Sequence, residues 1–285
     1  MNTPYDDQST FDRQSTFDRY YYASGCGLPY QRDEHWLSFF GGIAERIASD
    51  IAPGSVLDAG CAWGFLVENL RQRNLEAYGM DISEYAISNV HPSIQPFCSV
   101  GSISDQTQPV FSHRYDLIVC IEVLEHMQPV EAEKAVVNFC AHTDDVLFSS
   151  TPFDYKEATH YNVHPPEYWA ELFARQGFFR DIDFDASFLT PWAVRFRKKQ
   201  EPIVRLVSDY ERKFFLLWKE NTDLRSLAEE MRRELALKIG AANRLQEIEN
   251  SRSWLFMQKL IQKRERWIPY GSRRERILQK IHLIK

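Results

Sequence analysis

The chain has 285 residues, 44% of them hydrophobic, and a net charge of −6, which suits one good-sized folded domain with an appendage and excludes a disordered chain. The charge is uneven: from Ser251 onward there are ten Lys and Arg against two acids, a net of +8, leaving −14 for residues 1–250. An acidic body with a basic end argues against nucleic acid at the body and hints at an anionic partner for the end.

The N-terminal sequence is polar, without the apolar run of a secretory signal, and no stretch approaches the ~20 apolar residues of a spanning helix. The five cysteines (Cys26, Cys61, Cys98, Cys120 and Cys140) are odd in number and form no C-x-x-C pair. They read as reduced thiols, and the expected location is cytoplasmic. Residues 8–13 (QSTFDR) recur as residues 14–19, which reads as a duplication in a flexible arm and lid over residues 1–29. Apolar residues at helical spacing run from Trp36 to Ile51 and stop at Pro53-Gly54.

Strands and helices then alternate. Strand Ser55–Asp58 precedes helix Gly64–Arg73, and strand Ala77–Met80 precedes helix Tyr85–Val90. Strands Phe97–Gly101 and Leu117–Ile121 follow, then helix Pro129–Ala141, strand Val146–Ser149 and helix Pro166–Gln176. Strands Asp181–Phe188 and Ala193–Arg197, joined by a short link, are expected to close the sheet as an antiparallel hairpin. Repeated units of this length predict an α/β fold with seven strands, mostly parallel and covered on both faces, over residues 30–200.

Residues 201–250 change character. Phe214, Leu217, Asn221, Leu224, Ala228, Met231, Leu235, Ala242 and Leu245 fall on alternating three- and four-residue steps, interrupted by Lys238. This is a heptad seam with a polar residue at an a-like position. Two outcomes fit it: a long helix folded back on the body, or a coiled coil that joins two chains through residues 205–250. In residues 251–285, Trp254, Leu255, Phe256, Leu260, Ile261, Trp267, Ile268, Ile277, Ile281 and Leu283 interleave with the basic residues. That composition suits either a helix on an anionic membrane surface, at the inner face of the membrane, or one packed on its own body.

The chemistry-bearing residues cluster at strand ends. Asp58-x-Gly60-x-x-x-Gly64 turns the first strand into a helix, and glycines let backbone N–H groups approach a ligand closely. Asp81 ends the second strand, where an acid is placed to take ribose hydroxyls. Together they indicate a nucleotide-like cofactor. Glu122, Glu125 and His126 end the fourth strand; His160 and His164 follow the next one. Two carboxylates and two imidazoles, Glu122, Glu125, His126 and His160, also make a ligand set for a divalent ion such as Mg²⁺, Mn²⁺ or Zn²⁺.

Asp58–Gly64, Tyr78–Ser83 and Tyr115–His126, in this order and spacing, resemble class I S-adenosylmethionine-dependent methyltransferases. The resemblance covers about residues 30–200 and implies their Rossmann-like sheet. It implies that the loop with Asp58, Gly60, Cys61 and Gly64 holds the methionine part of S-adenosylmethionine. Asp81 would take the ribose, with Ile82 against the adenine and Ile121 beside the cofactor. Ser102-Ile103 stands where the family has an acid for the adenine amino group; either Ser102 or Asp105 would make that contact. Tyr30, in the aromatic segment before the first strand, would belong to a lid over the sulfonium, while Trp36, Phe39 and Phe40 read as core.

Methyl transfer needs in-line alignment, exclusion of water and a base for a hydroxyl acceptor. Glu125, His126 and His160 are the candidates for that base. The metal pattern is similar to metal-assisted O-methyltransferases acting on ubiquinone precursors and small-RNA 3′ ends. The expected reaction is O-methylation of a saccharide or lipid-linked saccharide, since the whole sequence looks like bacterial methyltransferases linked to surface polysaccharide synthesis. A small phenolic or other metabolite is the alternative acceptor. A catalytically silent scaffold that uses the fold and its coiled coil to recruit partners is the alternative from another class.

Overall fold

The computed structural model describes residues 16–25, 28–200 and 202–280. Seven strands make one sheet: β1 (Ser55–Ala59), β2 (Glu76–Asp81), β3 (Cys98–Val100), β4 (Leu117–Ile121), β5 (Asp145–Ser149), β6 (Phe178–Arg180) and β7 (Val194–Lys198). Their order is β3-β2-β1-β4-β5-β7-β6. The first five run parallel; β7 pairs antiparallel with β5, and β6 antiparallel with β7. The mostly parallel Rossmann-like sheet with a closing antiparallel pair is therefore present.

Alternation along β4 explains why both faces are filled. Ile118 and Cys120 face one layer, with Phe139 of α5 (Pro129–His142) and Trp169 and Phe173 of α6 (Pro166–Arg175). Leu117 and Val119 face the other, with Ile43 of α2 (Glu34–Arg46), Ile47 of the π-helical turn after it, and Leu66 and Leu70 of α3 (Phe65–Gln72). A strand buried on both sides has to be apolar throughout, as Leu-Ile-Val-Cys-Ile is.

Three helix starts in the first unit carry a side-chain cap. Asp18 accepts from the backbone N–H of Tyr20 at the start of α1 (Arg19–Ser24), and Asp33 from Trp36 at the start of α2. Ser83 accepts from Ala86 to start α4 (Glu84–Ser88). Each such cap is worth about 1 kcal/mol.

One expected element is corrected. The sixth strand is Phe178–Arg180, and residues 181–193 form a long connection instead of strand Asp181–Phe188 with a short link. Asp181, Asp183 and Asp185 alternate with Ile182, Phe184 and Ala186, which imitates a strand. Local bonds win instead: Ser187 N–H donates to Asp185, Leu189 N–H to Ala186 O and Ala193 N–H to Thr190 O. Such side-chain and turn bonds compete with a ladder. The connection is anchored by buried Ile182, Ala186 and Leu189.

The chain divides into two compact units, Met1–Asp209 and Tyr210–Lys285. Helix α7 (Ile203–Asn250) leads into the second and has no buried residue. There, Ser251 breaks the helix and caps α8 (Arg252–Trp267) by accepting from Trp254 N–H. Helix α9 (Arg273–Lys280) follows, and its buried Glu275 accepts from Gly271 N–H and lies 3.7 Å from Arg264. Among the described residues no helix is long and apolar enough to cross a membrane. The first copy of the QSTFDR repeat and Cys26 lie outside the described residues.

Candidate active site

Strand order reverses direction between β1 and β4, and in open α/β sheets the crevice beyond the strand ends at such a point takes ligands. A cavity of about 900 Å³ opens there. Asp58, Gly60, Cys61, Asp81, Ile82, Ser102, Ile103, Ile121 and Tyr30 line it, together with Glu122, His126 and His160. Gly64 and Glu125 do not.

The β1 loop is held tightly. The N–H groups of Gly60 and Cys61 both donate to Met80 O, at 2.8 and 3.0 Å. Gly60 has φ +90°, and a Cβ there would sit 2.3 Å from Val123 Cγ2. Gly64, at φ +71°, starts α3 and shapes the loop from behind the cavity. Asp81 accepts from Ala62 N–H at 2.8 Å and Ser83 N–H at 2.9 Å, so its carboxylate is fixed at the end of β2.

Asp58 is 5% exposed and has no hydrogen bond or ion pair among the described residues. Burial, and then the charge of Asp81, push its carboxyl up to about 8. Burial also raises Asp81, opposed by the N–H groups of Ser83 and Ala62. A buried, unpaired acid beside a second acid is suited to a cation in the cavity.

Ser102 Oγ lies 2.9 Å from Ser104 Oγ, which in turn donates to Glu131 at 2.5 Å. Asp105 is turned away, bound to Thr107 and Gln108, and does not line the cavity.

Further lining comes from the end of β4, the strand beside β1. Glu122 has φ +52°, an uncommon backbone conformation for a non-glycine residue. Its Oε1 accepts the indole N–H of Trp192 at 2.9 Å. Glu125 is fully buried and accepts from Thr151 N–H at 3.3 Å. Burial, and then the nearby Glu122 carboxylate, push the Glu125 carboxyl well up.

His126 is enclosed by rings: Phe17 at 5.5 Å, Tyr21 at 6.0 Å and His160 at 4.5 Å. Burial, and then His160, pull it down to about 4, so it is neutral at ordinary pH. Its Nδ1 lies 3.2 Å from Thr159 O and 3.0 Å from Thr159 Oγ1. A carbonyl can only accept, which assigns the proton to Nδ1 and leaves the Nε2 lone pair free. Thr159 Oγ1 itself donates to Glu157 Oε1 at 2.5 Å. His160 has Nδ1 2.8 Å from Asp154 O and Nε2 3.2 Å from Glu157.

Of the expected metal set, Glu125, His126 and His160 bring donor atoms within 4.8 Å of one another; Asp154, Glu157 and His160 form a second such group. Glu122 joins neither group among the described residues; its Oε1 accepts from Trp192.

Phe17, Tyr21, Tyr22 and Tyr30, from the segment before β1, line the cavity, and Ser83 Oγ donates to Phe17 O at 2.5 Å. Tyr30 stacks on Phe65 at 5.1 Å. Trp36, Phe39 and Phe40, expected in the core, also line the cavity; Phe39 is 42% exposed. Thr190, Trp192 and Phe153 were not legible as site residues. Thr190 and Trp192 lie in the stretch expected to be the link between the last strands, and Phe153 in the loop after the fifth strand.

A methyltransferase domain family model matches residues 31–179, and the chain belongs to that family. It is 31% identical over 117 residues to the ubiquinone biosynthesis O-methyltransferase of Acinetobacter baumannii, covering 38% of this chain and 48% of the relative. It is 31% identical over 112 residues to the magnesium-protoporphyrin O-methyltransferase of a Synechocystis species, covering 36% and 46%. The chain thus spans about half the length of these relatives. Among solved structures, 1,6-didemethyltoxoflavin-N1-methyltransferase of Burkholderia thailandensis, with its substrate and S-adenosylhomocysteine bound, matches with a TM-score of 0.51 at 16% identity, covering 70% of this chain and 94% of that one. That likeness concerns the fold.

Proposed function

We propose that the protein is an S-adenosylmethionine-dependent methyltransferase that methylates a hydroxyl of a saccharide or lipid-linked saccharide. The observation that carries the reading is one cavity with two unlike ends. Asp58 and Asp81 line one end, while Glu122, His126 and His160 line the other. The residues fit the cofactor: the unpaired Asp58 suits its ammonium group, and Asp81, fixed by two N–H groups, suits a ribose diol. When bound, S-adenosylmethionine supplies an activated methyl on a sulfonium. The chain then aligns the acceptor, excludes water beneath the aromatic lid of Phe17, Tyr21 and Tyr30, and takes the hydroxyl proton at His126 Nε2.

Calorimetry with S-adenosylhomocysteine tests the cofactor. Binding lost in Asp58→Ala and Asp81→Ala supports the reading; no binding by the folded wild type overturns it and leaves a silent scaffold. Transfer of tritium from labelled cofactor to compounds of cell-envelope extracts tests the acceptor. Label in a small phenolic compound would instead favour the metabolite reading, which the names of the relatives support.

A divalent ion on Glu125, His126 and His160 is a second reading of the acceptor end, supported by their mutual distances. Turnover unchanged in EDTA rejects it. In the same proposal the segment before β1 acts as the lid, the protein works inside the cell, and two copies pair through residues 205–250. The basic residues and exposed Trp254, Phe256, Leu260 and Trp267 of α8 rest on anionic lipid at the inner membrane face. Pelleting with anionic vesicles, lost on deletion of residues 251–285, tests the last point.

A further inference from the structure

Helix α7 runs for 48 residues without burying one side chain. At 1.5 Å per residue that is roughly 70 Å of helix. Most helical stability comes from packing an apolar face, so a helix this long and this exposed wants a partner. The face is continuous. Phe214, Leu217, Leu224, Met231, Leu235 and Leu245 are each more than half exposed and recur at a strict seven-residue period. A 3.5-residue period is the signature of a left-handed supercoil.

We infer that α7 pairs with α7 of a second copy as a parallel, in-register, two-stranded coiled coil, with Asn221 opposite Asn221. This rests on the pairing proposed above and adds its direction and register. With Phe214 at an a position, Asn221 is also at a, Glu220 at g and Arg225 at e of the next heptad. Parallel, in-register pairing lets the two Asn221 amides bond to each other. It also sets Glu220 of each chain against Arg225 of the other, giving two complementary pairs. An antiparallel pairing centred near Ser226 sets e against e and g against g. Arg225 would then meet Arg225, Glu220 would meet Glu234, and Asn221 would lie opposite Met231 with its amide unpaired, which is unfavourable. Lys238, at a d position, keeps its ammonium in water while its stem covers the seam. Because both chains enter such a coil from the same end, the two methyltransferase domains are tethered together, which favours an acceptor with several methylation sites.

The test uses the full chain. Sedimentation equilibrium is expected to give twice the 33.5 kDa chain mass. Leu217→Glu with Leu224→Glu should return it to one chain while S-adenosylhomocysteine still binds. Asn221→Cys should form an oxidised cross-linked dimer well above the wild-type background, since a–a′ positions meet the Cα spacing of a disulfide. A wild-type monomer, a higher oligomer, or Asn221→Cys that cross-links only when mixed with Met231→Cys overturns the inference. Loss of S-adenosylhomocysteine binding with the dimer intact would overturn the methyltransferase reading alone.

Discussion

Trp192 donates its indole N–H to Oε1 of Glu122 at 2.9 Å, across seventy residues of chain. The bond ties the β6–β7 connection to the end of β4 and holds a carboxylate on a backbone at φ +52°. Such a backbone costs about 1–3 kcal/mol and persists only where its surroundings enforce it. Trp192→Phe keeps the ring and removes the donor. It is expected to lower label transfer to the acceptor about 10-fold, the worth of one charge-assisted hydrogen bond, with S-adenosylhomocysteine affinity unchanged. Equal turnover in the variant would remove Glu122 from the acceptor end.

Asp58 gives a prediction whose sign follows from burial. Its folded value of about 8 lies above the ordinary 3.8, so the folded state holds a proton that the unfolded state releases. Stability from this group is therefore full below pH ~4 and is lost as pH rises through about 8. A cationic ligand favours the ionised form, so its affinity should increase as pH rises towards 8, with proton release on binding. Asp58→Asn is expected to be more stable by roughly 1–3 kcal/mol at pH 8 and to bind S-adenosylmethionine at least about 10-fold more weakly. Thermal melts and calorimetry in buffers of different ionisation enthalpy measure both.

In the proposed reaction His126 is the base, with its Nε2 lone pair free. His126→Ala should cut label transfer about 10²–10⁴-fold and leave S-adenosylhomocysteine binding intact. Thr159→Val should cost less, because the Thr159 carbonyl still accepts from Nδ1. Thr159→Ser should restore activity. A valine variant as poor as the alanine one would mean that the loop has moved rather than one bond been lost.

Gly60→Ala would place a methyl 2.3 Å from Val123 Cγ2 at φ +90°. The expected loss is about 1–3 kcal/mol of stability, together with cofactor binding. Val123→Ala should recover part of the packing cost but not the backbone strain. A double-mutant cycle with no coupling would show that the glycine is needed for its backbone alone.

The sheet and the glycine loop at the end of β1 are legible because their signals are local. Leu117–Ile121 was read with the bounds it has, since an apolar run between turns has one plausible conformation beside helices. Asp58, Gly60 and Asp81 announced themselves through spacing, because a tight strand-to-helix turn needs those residue types within a few positions of each other. The cavity lining beyond β4 and β5 is legible only in part. Asp181–Phe188 imitated a strand by alternation, and nothing nearby revealed that Asp185 and the turns at Leu189 and Ala193 would take the backbone bonds.

Amino-acid order alone determined the α/β class, the seven strands, the glycine loop with its two acids and the heptad seam of α7. Each depends on periodicity or on backbone needs confined to a short stretch. Only the tertiary structure decided that Trp192 fixes Glu122, that Thr159 sets the proton of His126 thirty-three residues away, and that Phe17 and Tyr21 wall it in. Those contacts join segments with no common period, and they exist because folding brings the ends of β4, β5 and the β6–β7 connection to one crevice.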